Sequence, residues 1–130
     1  MIAVDTNVIA RYVVRDDPAQ AARVDRLLES RTADDPAFIA RIALVELVWV
    51  LRRAYKFDRE SVGDVIERIL ATNELRVEDH DAAVAALAAY RTSAADYADC
   101  LMGLLNRNLG CATTVTFDSD AATLPEFQAL

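Results

Sequence analysis

Histidine, lysine, cysteine, glycine and proline are all scarce in this 130-residue chain, and each scarcity closes a class of function. His80 is the only histidine and has no cysteine near it, so a zinc ligand set is not expected and His80 reads as a surface residue. Lys56 is the only lysine, which removes any mechanism that needs an amine elsewhere in the chain. Cys100 and Cys111 have neither metal-ligand spacing nor the pattern of a disulfide framework, and they read as two buried small hydrophobes in a reducing compartment. No run approaches the roughly 18 apolar residues of a membrane span. Asp5 and Arg11 interrupt the N-terminal apolar residues, so no signal peptide is expected. These absences predict a soluble cytoplasmic protein. With three glycines, three prolines and no linker or repeat, residues 1–130 read as one domain. A chain of this length buries roughly two thirds of its unfolded surface. Positive charge is also short, with 14 basic residues against 21 acids and a net charge of −7. That excludes broad adhesion to DNA or to a membrane, but not a nucleic acid held locally through metal ions and a few arginines.

What is present is organised around Met1–Asn7. Ile2, Ala3 and Val4 are apolar without alternation, the pattern of a strand buried on both faces of a parallel sheet. Asp5 follows at once, and Val8, Ile9, Tyr12 and Val13 then take helical spacing. Asp5 therefore sits at the carboxyl end of a strand, where ligands bind in open α/β sheets. It also suits the plainer role of a helix cap.

Further along, Arg15–Pro18 is a turn signal before an amphipathic helix over 18–31, and Ala37–Ala40 is a second strand. From Ile42 to Leu51 nine of ten residues are apolar, which predicts a largely buried helix. Glu46 stands in its middle, where it needs an arginine such as Arg41, Arg52 or Arg53, a proton, a metal or a wet cleft. A helix over 60–71 follows, making a hairpin whose spare apolar surface is covered either inside the monomer or by a partner. Leu75–Val77 is a third strand, and Glu78–Asp81 opens an alanine-rich helix to Tyr90.

Ser93 and Asp96 have the form of a capping box, so a helix is expected to begin there and run to about Asn108. Asp99 lies three residues beyond Asp96 on the same helix face, with no basic residue within a turn. Gly110 reads as a helix C-cap, followed by a fourth strand that ends near Thr116-Phe-Asp118, and Phe127–Leu130 is a short fifth strand. Asp118 thus repeats the arrangement of Asp5.

Four acids stand out: Asp5 and Asp118 at strand ends, Glu46 and Asp99 on apolar helices. Two carboxylates 4 Å apart repel by about 4 kcal/mol at an effective dielectric near 20. A group of them must share protons or hold a cation. Oxygen-only donors favour Mg²⁺, with Mn²⁺ as a substitute, and such ions serve phosphodiester cleavage.

Asp5-Thr-Asn7, Leu44-Val-Glu-Leu47, Asp96-Tyr-Ala-Asp99 and Thr116-Phe-Asp118 occur in the order found in PIN-domain ribonucleases. The chain resembles this family over essentially all its length, and Asp5–Pro18 and Glu46–Leu51 are similar to the VapC toxins of toxin–antitoxin pairs. The resemblance implies an α/β fold, a three-layer α/β/α sandwich with a central, mostly parallel sheet. It implies Mg²⁺-dependent endonucleolytic cleavage of RNA, a homodimer, and an antitoxin protein that silences the groove. By position, Asp5, Glu46, Asp99 and Asp118 would be the catalytic acids, with Asp5, Asp99 and Asp118 on the metal. Thr6, Asn7, Asp96 and Thr116 would support them. Tyr97 and Cys100 stand where phenylalanine and alanine are more usual. A receiver-like phosphoacceptor needs a late lysine and a haloacid-dehalogenase-type phosphatase needs Asp-x-Asp, where this chain has Asn7. The competing class is a catalytically silent PIN fold that acts through a protein or RNA partner.

Overall fold

The computed structural model describes residues 1–130, which form two compact units, residues 1–80 and 81–130. The first holds β1 (Ile2–Ala3), α1 (Thr6–Val14), α2 (Pro18–Glu29), β2 (Ala37–Ile39), α3 (Arg41–Arg53), α4 (Arg59–Ala71) and β3 (Leu75–Val77). Its sheet has the order β1-β2-β3 and is parallel throughout, with Ile2 opposite Ala37 and Phe38 opposite Arg76. The second holds α5 (His80–Thr92), α6 (Tyr97–Asn108), β4 (Thr114–Thr116), a short 3₁₀ turn and β5 (Phe127–Ala129). β4 and β5 pair in parallel, with Val115 opposite Gln128. The α/β class and the parallel pairing are those expected from the sequence. No helix is long and apolar enough to cross a membrane.

Local chemistry explains three of the four helix starts of the first unit. Asp5 is the N-cap of α1 and accepts from the Thr6 N–H at 2.7 Å. Asp17 caps α2 through the Gln20 N–H at 3.0 Å, with Pro18 placed at the first helical position. Asp58 does the same for α4 through Ser61 at 2.8 Å. The core of this unit is aliphatic: Ile9, Ile39, Leu44, Leu47, Leu51, Val62 and Ile66 are all essentially excluded from solvent.

Three expectations are corrected here. β1 is exposed along its length, not buried on both faces, because it is a two-residue edge strand with one neighbour. α3 is amphipathic rather than buried all round: Leu44, Leu47, Val48 and Leu51 are inside, while Ile42 and Trp49 are 75% and 59% exposed. The capping box at Ser93 does not form. The Ser93 hydroxyl instead accepts from the Ala95 N–H at 3.3 Å, and α6 starts later, at Tyr97, with Asp96 as an N-cap that makes no side-chain bond.

The second unit is held by close contacts of α6. The buried Tyr97 hydroxyl donates to the Ala83 carbonyl of α5 at 3.0 Å, and its ring meets Tyr90 edge-on at 5.9 Å. Burial raises the Tyr97 hydroxyl well above the ordinary tyrosine range, so it stays a donor. Cys100 is buried as expected, whereas Cys111 is exposed in the loop after α6. Gly110, at φ +96°, ends α6 with its N–H on the Arg107 carbonyl. Gly103 lets β5 approach α6: a Cβ there would lie 2.6 Å from the Phe127 ring and 3.0 Å from the Glu126 Cβ. Gly103→Ala is therefore expected to lower stability by about 1–3 kcal/mol through overpacking, despite the better helix propensity of alanine. Urea unfolding of the two proteins checks this, and an equal or higher midpoint for the variant would refute the contact.

Candidate functional site

In the first unit the parallel pairing brings the carboxyl ends of β1, β2 and β3 to one sheet edge. Asp5 leaves β1 there. Its carboxylate is exposed and its one hydrogen bond is the cap on Thr6. Thr6 is 5% exposed, and its hydroxyl oxygen has no hydrogen-bond partner at all. A buried, unsatisfied hydroxyl beside a solvent-facing carboxylate is an incomplete polar shell, since such groups are ordinarily paired. Asn7 follows on the exposed side of the same helical turn.

Glu46 lies in mid-α3 and is exposed, so the expected burial of this carboxylate is corrected. None of the three candidate arginines pairs with it. Arg41 bonds Asp79 and lies 3.7 Å from Glu78, Arg52 donates to the Phe57 carbonyl at 3.1 Å, and Arg53 lies over the Trp49 ring at 5.3 Å. Glu46 therefore faces water with Ile42 and Trp49 on one side of the helix, at the i, i+4, i+7 spacing.

The carboxyl edge of β3 carries a feature that the sequence did not signal. Glu78 accepts from the backbone N–H of Arg41 at 2.9 Å and so caps α3, whose own N-cap residue, Ala40, has no side chain for the task. The segment reads locally as acids opening the next helix. A cap supplied from 37 residues away leaves no mark in a local pattern.

In the second unit Asp99 projects from the first turn of α6 and is half-buried. Its carboxyl is held above the usual carboxylate range, first by burial and then by the like charges of Asp118 and Asp96. Asp118 is fixed at the end of the β4 loop: its side chain accepts from the Ala121 N–H at 2.8 Å, and its own N–H donates to the Thr116 hydroxyl at 3.0 Å. Asp99, Asp118 and Asp96 thus form an electrostatic group, while Arg107 is taken by Glu126. Within neither unit do three acidic, histidine or cysteine side chains gather at chelating distance. Taken unit by unit, the donor chemistry nonetheless fits a hard divalent cation: the first unit sets the Asp5 carboxylate beside the orphaned Thr6 hydroxyl, and the second sets the part-buried Asp99 beside Asp118 and Asp96, all of them oxygen donors.

The raised Asp99 carboxyl has a signed consequence. Its folded-state value lies above the unfolded one, so the folded state binds more protons in the window just above pH 3.8. Its contribution to stability is complete below that value and is lost as the pH rises through the folded-state value. Asp99→Asn is expected to raise the melting temperature at pH 7 and to have little effect near pH 3. Thermal unfolding at the two pH values reads this directly, and a variant less stable at pH 7 would contradict it.

Comparison with known proteins bears on the family of the chain. A VapC ribonuclease of Aquifex aeolicus (strain VF5) is 24% identical over 117 residues, spanning 90% of this chain and 87% of that protein. No solved structure gives a significant match. The sequence model of the PIN domain matches residues 2–126, and with its parallel α/β architecture the chain belongs to the PIN domain family.

Proposed function

We propose that this protein is a divalent-metal-dependent endoribonuclease, the toxin of a VapBC-type toxin–antitoxin pair, acting as one domain in the cytoplasm. The observation that carries the reading is Asp99: a half-buried carboxylate crowded by two further acids on a PIN-family chain, with no basic side chain engaged to it. A structural acid is expected to have a cationic partner or full hydration, whereas a metal ligand is left negative and available. The Aquifex relative, described as a VapC ribonuclease, supports the substrate class.

In this reading Asp5, Glu46, Asp99 and Asp118 are the catalytic acids, and Asp5, Asp99 and Asp118 hold Mg²⁺, with Mn²⁺ as a substitute. When bound, the ion supplies charge neutralisation at the scissile phosphate and a water of lowered pKa. The protein's own contribution is orientation. Asp118 is aimed by the Ala121 and Thr116 bonds and Asp5 by the first turn of α1, while Glu46 orients the attacking water or holds a second metal. Thr6 and Thr116 hold Asp5 and Asp118 in place through their hydrogen bonds, and Asn7 and Asp96 are the further supporting polar residues of this reading. The antitoxin is the natural silencer of such an acidic groove, and Ile42 and Trp49 on α3 supply apolar surface for a homodimer.

Purified wild type is expected to cut single-stranded RNA with Mg²⁺ and to stop on chelation. Asp5→Asn and Asp99→Asn should each lose far more than the roughly 10–100-fold typical of an outer-shell partner. Mg²⁺ should also raise the melting temperature of the wild type and not that of Asp99→Asn. Cleavage that persists in chelator, or in both variants, would overturn the proposal. RNA binding without any cleavage would move the function to a catalytically silent module.

A further inference from the structure

Between α1 and α2 lies an open cleft of about 510 Å³, within the range of about 300–1,000 Å³ common for ligand sites. Asn7, Arg11, Gln20 and Arg23 give it polar walls, and no carboxylate lines it. In a chain with a net charge of −7 this is a local reversal of sign. It begins at Asn7, two residues beyond Asp5, and follows α1 for one turn to Arg11, about 6 Å along the axis.

The two arginines are held differently. Arg11 is oriented: its Nε donates to Gln20 at 2.6 Å, and one terminal nitrogen donates to the Tyr55 hydroxyl at 3.1 Å and to Asp16 at 3.3 Å. Tyr55 donates in turn to Asp16 at 2.9 Å, which locks the network. Asp16 offsets part of the Arg11 charge and leaves its other terminal nitrogen free to donate. Arg23 is exposed and makes no hydrogen bond or ion pair, so it supplies the uncompensated positive charge. One oriented and one free guanidinium around a cleft suit an oxyanion, which planar N–H forks bind in pairs. Val8, Val24 and Leu27 complete the lining with an apolar wall.

We propose that this cleft is a subsite for single-stranded RNA beside the cleaved bond, with Arg11 and Arg23 on a backbone phosphate and the adjoining nucleoside against Val8, Val24 and Leu27. The inference rests on the ribonuclease reading and adds to it the place where the flanking chain is gripped. An acidic protein segment would also meet the arginines. The apolar wall next to paired phosphate donors, less than two helical turns from Asp5, favours the nucleotide.

The test is the salt dependence of binding of a single-stranded RNA oligonucleotide to the full chain without added metal, for wild type, Arg23→Gln and Arg26→Gln. Arg26, also exposed on α2, lies outside the cleft and makes the same change in net charge. Loss of one phosphate contact is expected to reduce the slope of log K against log salt by about 0.7 in Arg23→Gln and to weaken binding roughly 10-fold, with Arg26→Gln like wild type. Arg23→Lys should recover part of the loss. Equal effects of Arg23→Gln and Arg26→Gln, or none from either, would overturn the subsite while wild-type cleavage of RNA still upheld the ribonuclease reading. Weakened binding of poly-L-glutamate with unchanged RNA binding would assign the cleft to an acidic protein and overturn it too. A wild type that neither binds nor cuts RNA would remove both.

Discussion

The constraint on which the rest of this structure depends is parallel strand pairing. Parallel neighbours cannot be joined by a tight turn, so each strand must be followed by a return segment, here helical. Every strand of the first unit therefore ends on one edge, and each ending is a turn into something else: β1 into Asp5 and α1, β2 into Ala40 and α3, β3 into Glu78. Those turns carry the polar chemistry because the strands before them consist mostly of apolar residues. Asp5 shows the double duty this creates: one carboxylate oxygen starts a helix, and the group as a whole remains exposed.

Charge in the second unit follows a different logic. Asp99 sits on a helix whose inner face is fixed by Tyr97, Cys100, Leu101 and Leu104, so its position is set by packing and not by any electrostatic partner. Asp118 is aimed by hydrogen bonds from its own loop. Apolar contacts and local bonds thus hold like charges near one another, and the Asp99 carboxyl is raised first by its burial and then by that crowding. The tyrosine at position 97 illustrates how much the packing matters: its extra hydroxyl is buried, yet it is fully accommodated by the Ala83 carbonyl.

The element pattern was legible in the sequence because periodicity and caps are local. Asp17-Pro18, Asp58 and Gly110 mark the boundaries of α2, α4 and α6 by mechanisms that act within a few residues. Burial was less legible, since it depends on what lies opposite. The Ile2–Val4 run has the composition of a central strand but occupies an edge, and Ile42 and Trp49 are as apolar as Leu44 and Leu47 but face water. The candidate acids were legible as residues and positions. The Glu46 environment was not, because an apolar run in one dimension does not say which side of the helix is covered. The α1–α2 cleft was hidden for the same reason: Arg11 and Arg23 meet only after two helices pack.

The carboxylate of Glu78 on the Arg41 N–H ties the start of one helix to the end of a strand far along the chain. A helix with its own serine or aspartate cap can complete its first turn while the rest of the chain is still unfolded. α3 has no such residue, so the Arg41 N–H gains its cap only when β3 has been laid beside β2, across the α3–α4 segment that joins them. Amide exchange at Arg41 consequently reports the docking of β3 rather than the intrinsic helicity of α3. This part of the fold is cooperative through a bond that neither segment can make alone.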